Sequence, residues 1–308
     1  MGPDAVTKTR DLTLYTVDVT RTVLVALLTT ALSGAATAPG APAIAVSIDA
    51  RAQQPGELVL VTMTVPAGAS QVRVQAFGRE VTPYPAGDRE WRALVGIDLD
   101  VKPGRYPVAI EADAARTTYD LVVARKTFLT RRLTVDEAFV TPPPSAAERI
   151  AQDAQLLEHV WKSSAHTRLW EDRFVRPVSA QANSAFGTRS IFNGKARSPH
   201  GGADFLSPAG TPVHAPNAGR IVVARDLYYS GNTVIIDHGL GLFSMLAHFS
   251  TVDVHEGERV TVGQVVGRVG ATGRVTGPHL HWAVRANDAR VDPLSVLALL
   301  GRQEPPSR

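Results

Sequence analysis

The sequence has no cysteine among its 308 residues. That absence excludes a disulfide framework, a thiolate metal site, a cysteine nucleophile and an acyl-cysteine lipoprotein anchor. A surplus of one charge sign is nearly lacking too: 32 basic residues face 29 acidic ones, a net +3 with a pI near 9.3. So even a balance excludes nucleic acid as the expected partner and at most permits an anionic polymer. What is present, 44% hydrophobic and 20% charged residues, is an ordinary globular composition. It excludes disorder for the whole and supplies enough apolar side chain for real cores, over a length that suits two domains plus a leader.

Long apolar runs are also scarce. Residues 22–38, TVLVALLTTALSGAATA, form an uncharged stretch after Lys8, Arg10 and Arg21 and end in Ala36-Thr37-Ala38. This is the pattern of a secretory signal, marginal in length for a spanning helix. Pro39 hinders cleavage directly after Ala38, so the expected outcome is cleavage after Ala43 or Ala45, or retention as a membrane tether. Residues 1–45 are therefore expected to be a signal peptide or N-terminal anchor, with the remainder exported to the periplasm or cell envelope.

From about 46 to 125 the hydrophobic period is two. Val61, Met63 and Val65 alternate with Thr62 and Thr64, and the runs at 72–76, 106–110 and 119–123 repeat the pattern. Turn signals separate them at Gln54-Pro55-Gly56, Pro66-Ala67-Gly68, Pro85-Ala86-Gly87-Asp88 and Lys102-Pro103-Gly104. Short strands at this spacing predict a small antiparallel, immunoglobulin-like β-sandwich that serves as a spacer. After Pro142-Pro143-Pro144, Ser145 and Glu148 predict a capping box opening a helix. Its apolar stripe would run through Ile150, Ala154, Leu157 and Trp161. Residues 126–180 are thus expected to be an extended crossover plus helix, placed to act as a lid, with His159 and His166 in surface or helix-end roles. Glycine-punctuated strands from 181 to 300 predict an all-β catalytic domain, followed by a tail at 301–308.

Seven of the nine histidines lie in the final 109 residues. Three segments there carry the chemistry. In His200-Gly201-Gly202-Ala203-Asp204-Phe205 the two glycines argue against a helix, so a turn feeding a strand must bring His and Asp together. In His279-Leu280-His281-Trp282 the strand geometry projects both imidazoles on one face and Leu280 into the core. His248 ends the apolar strand Ser244-Met245-Leu246-Ala247, where a polar ring needs a partner. Nitrogen and oxygen donors without thiolate point to a catalytic rather than a structural metal site. His214, His238 and His255 read as structural residues, and Asp237 as a candidate to support a ligand from behind.

HGGADF at 200–205, the His248 strand and GRVTGPHLHW at 273–282 resemble the lysostaphin/LytM-type zinc metallopeptidases, which cut peptide bonds in bacterial peptidoglycan. The resemblance covers about residues 185–300. It implies Zn2+ bound by His200, Asp204 and His281, with His248 and His279 as the unligated catalytic pair. It also implies peptidoglycan stem peptides as substrate, a D-alanyl to diaminopimelyl crosslink ahead of glycine bridges, and an envelope regulatory protein as a further partner. Many members have Tyr where this chain has Leu246, so a hydroxyl is missing there unless Tyr228 or Tyr229 supplies one. The rival expectation is a catalytically idle murein-binding regulator of amidases. A biotinyl/lipoyl-like carrier, suggested by the hairpin at 254–264, lacks the required lysine.

Overall fold

The computed structural model describes residues 44–301, apart from 136, 138, 139, 172 and 185 and the side chains of 183 and 184. The signal or anchor expectation therefore lies outside the described residues. Most of the regular structure among the described residues is β-strand. Strands β1 (Ala45–Ala50), β2 (Leu58–Thr64), β3 (Val72–Ala76), β4 (Arg79–Val81), β5 (Tyr84–Pro85), β6 (Glu90–Gly96), β7 (Gly104–Ala112) and β8 (Ala115–Val123) build two four-stranded sheets. Their orders are β1-β2-β6-β5 and β4-β3-β7-β8, and all pairs are antiparallel. The alternation read from the sequence is the one observed: Val61, Met63, Val74, Ile110 and Leu121 are buried in one core shared by both sheets.

The alternation fails where it should if a second surface is covered. Leu58 and Val59, like Leu94 and Val95, are consecutive buried residues. Val59 and Val95 enter the core between the N-terminal sheets, whereas Leu58, Leu94 and Tyr84 belong to the core of the C-terminal half. A strand buried on both faces loses its polar positions. Gly96 permits the approach, since a Cβ there would stand 2.7 Å from that of Ala289.

Next come β9 (Thr130–Leu133), a 3-10 turn at Pro144–Ala146 and α1 (Ala147–Trp161). The capping box is not formed: Ala146 is the N-cap and no side chain caps the helix. Pro144 starts the turn early, with Ala146 N donating to Pro143 O, so Ser145 already lies inside it. The packed side is Leu156, Leu157, Val160 and Trp161, while Ala154 is exposed, a shift from the expected stripe.

The C-terminal half continues with β10 (Ala182–Ser184), β11 (Arg189–Phe192), β12 (Lys195–Ala196), β13 (Gly202–Phe205), β14 (Pro212–His214), β15 (Gly219–Leu227), β16 (Gly231–Gly239), β17 (Leu242–Val252), β18 (Arg259–Val260), β19 (Val265–Val269), β20 (Leu280–Ala286) and β21 (Ala289–Val291). Helix α2 (Pro293–Leu300) ends the described chain. The main sheet runs β10-β13-β20-β17-β16-β15-β18, with β14, β19 and β21 attached at its margins. β9 is not plain crossover: it pairs in parallel with β11, which pairs with β12. No described helix is long and apolar enough to cross a membrane.

Two buried polar networks fix these layers. Arg51 donates from Nη2 to Glu57 Oε1 (2.6 Å) and to Asp292 Oδ2 (2.7 Å), and Lys126 Nζ reaches Glu57 Oε1 at 3.3 Å. Asp292 also caps α2 through Leu294 N, so one guanidinium ties the first hairpin to the last helix. Burial works to raise the Glu57 pKa, but hydrogen bonds from Arg51 prevail and hold it below the ordinary range. In the second network, His238 donates from Nδ1 to Ala218 O (2.7 Å) and accepts at Nε2 from Ser244 Oγ (2.9 Å). Ser244 Oγ in turn accepts from Trp282 Nε1 (3.1 Å), linking β16, β17 and β20. Burial pushes His238 down to about 4.

Replacing Arg51 by Met strands two buried carboxylates. Urea unfolding at pH 7 should show a loss of about 3 kcal/mol, shrinking in acid as Glu57, which Arg51 holds below the ordinary range, becomes protonated. His238 is neutral when folded and charged when unfolded between about pH 4 and 6.5. Its contribution is complete above 6.5 and is lost as pH falls toward 4, on the order of 3 kcal/mol. In His238→Gln, the slope of unfolding free energy against pH should flatten by about one proton across that window; an unchanged slope would remove this assignment.

Candidate metal centre and its paired histidines

β13 and β20 are antiparallel, with Asp204 opposite His281 and Gly202 opposite Ala283. Directly opposed residues share a face, so the carboxylate and imidazole meet without any loop rearrangement. Asp204 Oδ1 lies 2.8 Å from His281 Nδ1 and 3.0 Å from His200 Nε2, and the two nitrogens are 3.1 Å apart. Gly202 makes room for the ring, since a Cβ there would stand 2.8 Å from His281 Cε1. That is the structural use of one of the two glycines read from the sequence. His200 is fixed by its backbone: its N–H donates to Thr188 O and its carbonyl accepts from Gly187 N.

These three groups are the His/Asp set that could hold a metal ion among the described residues. A tetrahedral zinc with donors about 2.0–2.1 Å away has donor separations of about 3.3 Å. The observed triangle is slightly tighter and needs only small outward shifts. Without a cation the arrangement is frustrated: both nitrogens can donate to the one carboxylate oxygen, but then their N–H groups crowd each other. Two neutral imidazoles and a carboxylate therefore fit a divalent ion that accepts nitrogen and oxygen donors. Burial works to raise the Asp204 pKa, yet hydrogen bonds from His200 and His281 hold it far below the carboxylate range. His281 is itself pushed down by burial.

The other two histidines flank this triangle. His279 lies just before β20, its Nε2 3.9 Å from Asp204 Oδ1, and Leu280 turns into the core as expected. Ring centroids of His248 and His279 are 4.8 Å apart, and His248 lies 5.9 Å from His281. Nδ1 of His248 is 3.0 Å from Thr272 O, and Nδ1 of His279 is 2.9 Å from Gly277 O. A carbonyl can only accept, so each Nδ1 carries a hydrogen, and in the neutral form of either ring Nε2 keeps its lone pair. Burial, reinforced by His281 and His279, pushes His248 down to about 4 and keeps it neutral at pH 7.

His248 reaches this place through a strained backbone. The β16–β17 register slips between Asn232 opposite Phe249 and Val234 opposite Leu246, so two residues face one. His248 sits in that bulge at φ 70°, the one non-glycine residue at positive φ inside a described strand. Such a bulge re-aims a side chain that regular pleating would direct elsewhere. No sequence signal announced it. Its amide is held by Ser230 O at 2.9 Å.

The remaining candidates lie elsewhere. Asp237 does not support a ligand: its carboxylate accepts from Ser164 Oγ, Ala165 N and Gly239 N. His238 is the buried structural residue described above, His214 donates to Gly263 O, and His255 is exposed beside Glu258. Leu246 is buried in the core, so no gap marks the expected tyrosine position. Tyr229 instead stacks under the Arg274 guanidinium at 5.5 Å and edge-on to Tyr228 at 5.0 Å. α1 lies on the same sheet face as the cluster. It covers Val223, Ile235, Phe243 and Met245, and the register places these on the side of Ala247 and His281.

All five clustered residues fall within 198–293, the stretch that matches Peptidase family M23. Peptidoglycan DD-endopeptidase ShyA of Vibrio cholerae is 46% identical over 84 residues, 27% of this chain and 20% of that protein. DD-carboxypeptidase/endopeptidase Mpg of Neisseria meningitidis is 44% identical over 97 residues, 32% of this chain and 22% of that protein. The chain thus spans about a fifth of the length of these curated relatives. The likeness to a putative peptidase M23 of Pseudomonas aeruginosa is far broader: its crystal structure matches at 33% identity and a TM-score of 0.64, over 80% of this chain and 95% of that one. Likeness on that scale takes in the N-terminal sheets as well as the histidine cluster, and the chain belongs to peptidase family M23.

Proposed function

We propose that this protein is a zinc-dependent endopeptidase that hydrolyses peptide bonds of peptidoglycan, most readily crosslinks between stem peptides. The single observation that carries the reading is the meeting, on one sheet face, of a two-nitrogen, one-oxygen donor triangle with two further imidazoles that each present a bare Nε2. The DD-endopeptidase names of its relatives support the substrate class.

His200, Asp204 and His281 would hold the metal. When bound, zinc supplies Lewis acidity toward a peptide carbonyl and acidifies a water molecule. The chain's own part is proton handling. His248 or His279 accepts the water's proton at Nε2 and passes it to the leaving amine, and a ring so protonated becomes a donor toward developing negative charge. Thr272 O and Gly277 O keep the rings in the tautomer that can begin this cycle. The N-terminal sheets would serve as an immunoglobulin-like spacer, and the 126–180 segment with α1 as a wall or lid beside the groove. Export to the envelope, by a cleaved signal or a retained tether, completes the proposal, as does an envelope regulatory partner.

The test is mass spectrometry of muropeptides released from isolated sacculi by the full exported chain. Crosslinked dimers should fall and monomers rise with zinc, and the change should cease with chelator. His248→Ala should retain zinc, measured by elemental analysis, while its rate falls by about 10²–10⁴-fold. Asp204→Ala and His281→Ala should lose both zinc and activity. If the wild type binds zinc and sacculi but releases nothing, the idle-regulator alternative replaces this reading.

A further inference from the structure

Tight turns with both central residues at positive φ recur in this fold. Between β11 and β12 the pair is Asn193-Gly194 (49° and 79°), and between β20 and β21 it is Asn287-Asp288 (49° and 66°). Both use residues that tolerate left-handed backbone. Between β3 and β4 the pair is Phe77-Gly78 (52° and 72°), which puts a bulky side chain where it is strained. Leu240, at 54°, is comparably strained but is buried in the C-terminal core. Phe77 is only half buried, so packing accounts for less of its presence.

One side of Phe77 rests on the N-terminal core beside Tyr106, their ring centroids 4.9 Å apart and planes at 44°. The same two rings line a cleft of about 470 Å³ with Val101, Pro107, Arg79 and Asp98. That volume is in the range of small-ligand sites. The charges around it are paired with one another. Arg290 Nη2 lies 2.7 Å from both Asp98 Oδ1 and Asp100 Oδ2, and Asp288 lies 3.4 Å from Arg285 and 4.0 Å from Arg79, three carboxylates against three guanidiniums. A ligand there meets aromatic and aliphatic walls beneath a polar rim whose charges already balance. A charged peptide end gains little from such a site. A neutral pyranose suits it, with one C–H face lying on a ring and its hydroxyl and acetamido groups reaching the rim.

We propose that this cleft binds an N-acetylated sugar of the glycan strand, a second contact with the substrate in addition to the peptide-cutting site. The proposal rests on the reading that peptidoglycan is the substrate. Its geometry supplies a reason for a phenylalanine that the turn itself does not.

The test uses the full chain and two probes: a soluble N-acetylglucosamine oligomer without peptide, and a crosslinked peptide dimer without sugar. Calorimetry or an NMR titration should show the oligomer binding to wild type. Phe77→Asn, which relieves the turn, should keep or raise the melting temperature, weaken oligomer binding by at least about tenfold and leave cleavage of the sugar-free dimer unchanged. Tyr106→Leu, away from the strained turn, should weaken oligomer binding as well. Wild type that ignores the oligomer, equal binding by both variants, or sugar-free dimer displacing the oligomer would each overturn the proposal. Cleavage without oligomer binding removes only the sugar site. Oligomer binding without cleavage of sacculi or dimer removes only the endopeptidase reading.

Discussion

Three donor atoms within 3.1 Å of one another, two of them imidazole nitrogens and one a carboxylate oxygen, form a group that would separate in water. Each side chain is largely withdrawn from solvent, and burial acts against charge on such groups. What holds them is backbone. Asp204 and His281 face each other across a β-ladder whose strands are anchored underneath by Trp282 and Phe205, both fully buried. The backbone of His200 is pinned by main-chain bonds to 187–188, which sets where its ring starts from. The rest of the C-terminal half can be understood as support for this small area. Strands β16 and β17 are buried along most of their length because both of their faces are covered, by the core on one side and by α1 on the other.

Much of this was legible in the sequence because the relevant periods are local. Alternation at 61–65 and 72–76 needs only neighbouring residues to be read, and so does the common face of His279 and His281. The fold and the membership of the cluster follow from such patterns together with the family resemblance. What escaped depends on partners distant in the chain. The bulge at His248 arises from a mismatch with β16, and nothing in Met245-Leu246-Ala247-His248 encodes it. Asp237 carries a carboxylate next to a histidine, yet its partners are Ser164 and Ala165, some seventy positions earlier. The capping box failed for a local reason that was visible but outweighed: three prolines bend the chain before Ser145 can occupy the cap position.

The N-terminal half shows the same division. Its inward residues were apparent, whereas the outward burial of Leu58, Tyr84 and Leu94 appears only as a doubling of apolar positions, which a single strand buried on two sides also produces. That doubling marks where one sheet pair is pressed onto the other. The strained turn at Phe77 was likewise silent, because Phe-Gly is not a pair that turn chemistry would select.

The bond between Arg51 and Asp292 joins residues 241 positions apart. Closing so long a loop is among the last steps open to a folding chain, since its entropy must be lost before the contact repays it. Until the last described helix is available, Glu57 and Arg51 have only each other and Lys126, and Leu58 N lacks its acceptor, Ser295 Oγ. A chain built this way is completed at its end: its first hairpin reaches full stability only when residue 292 has joined it.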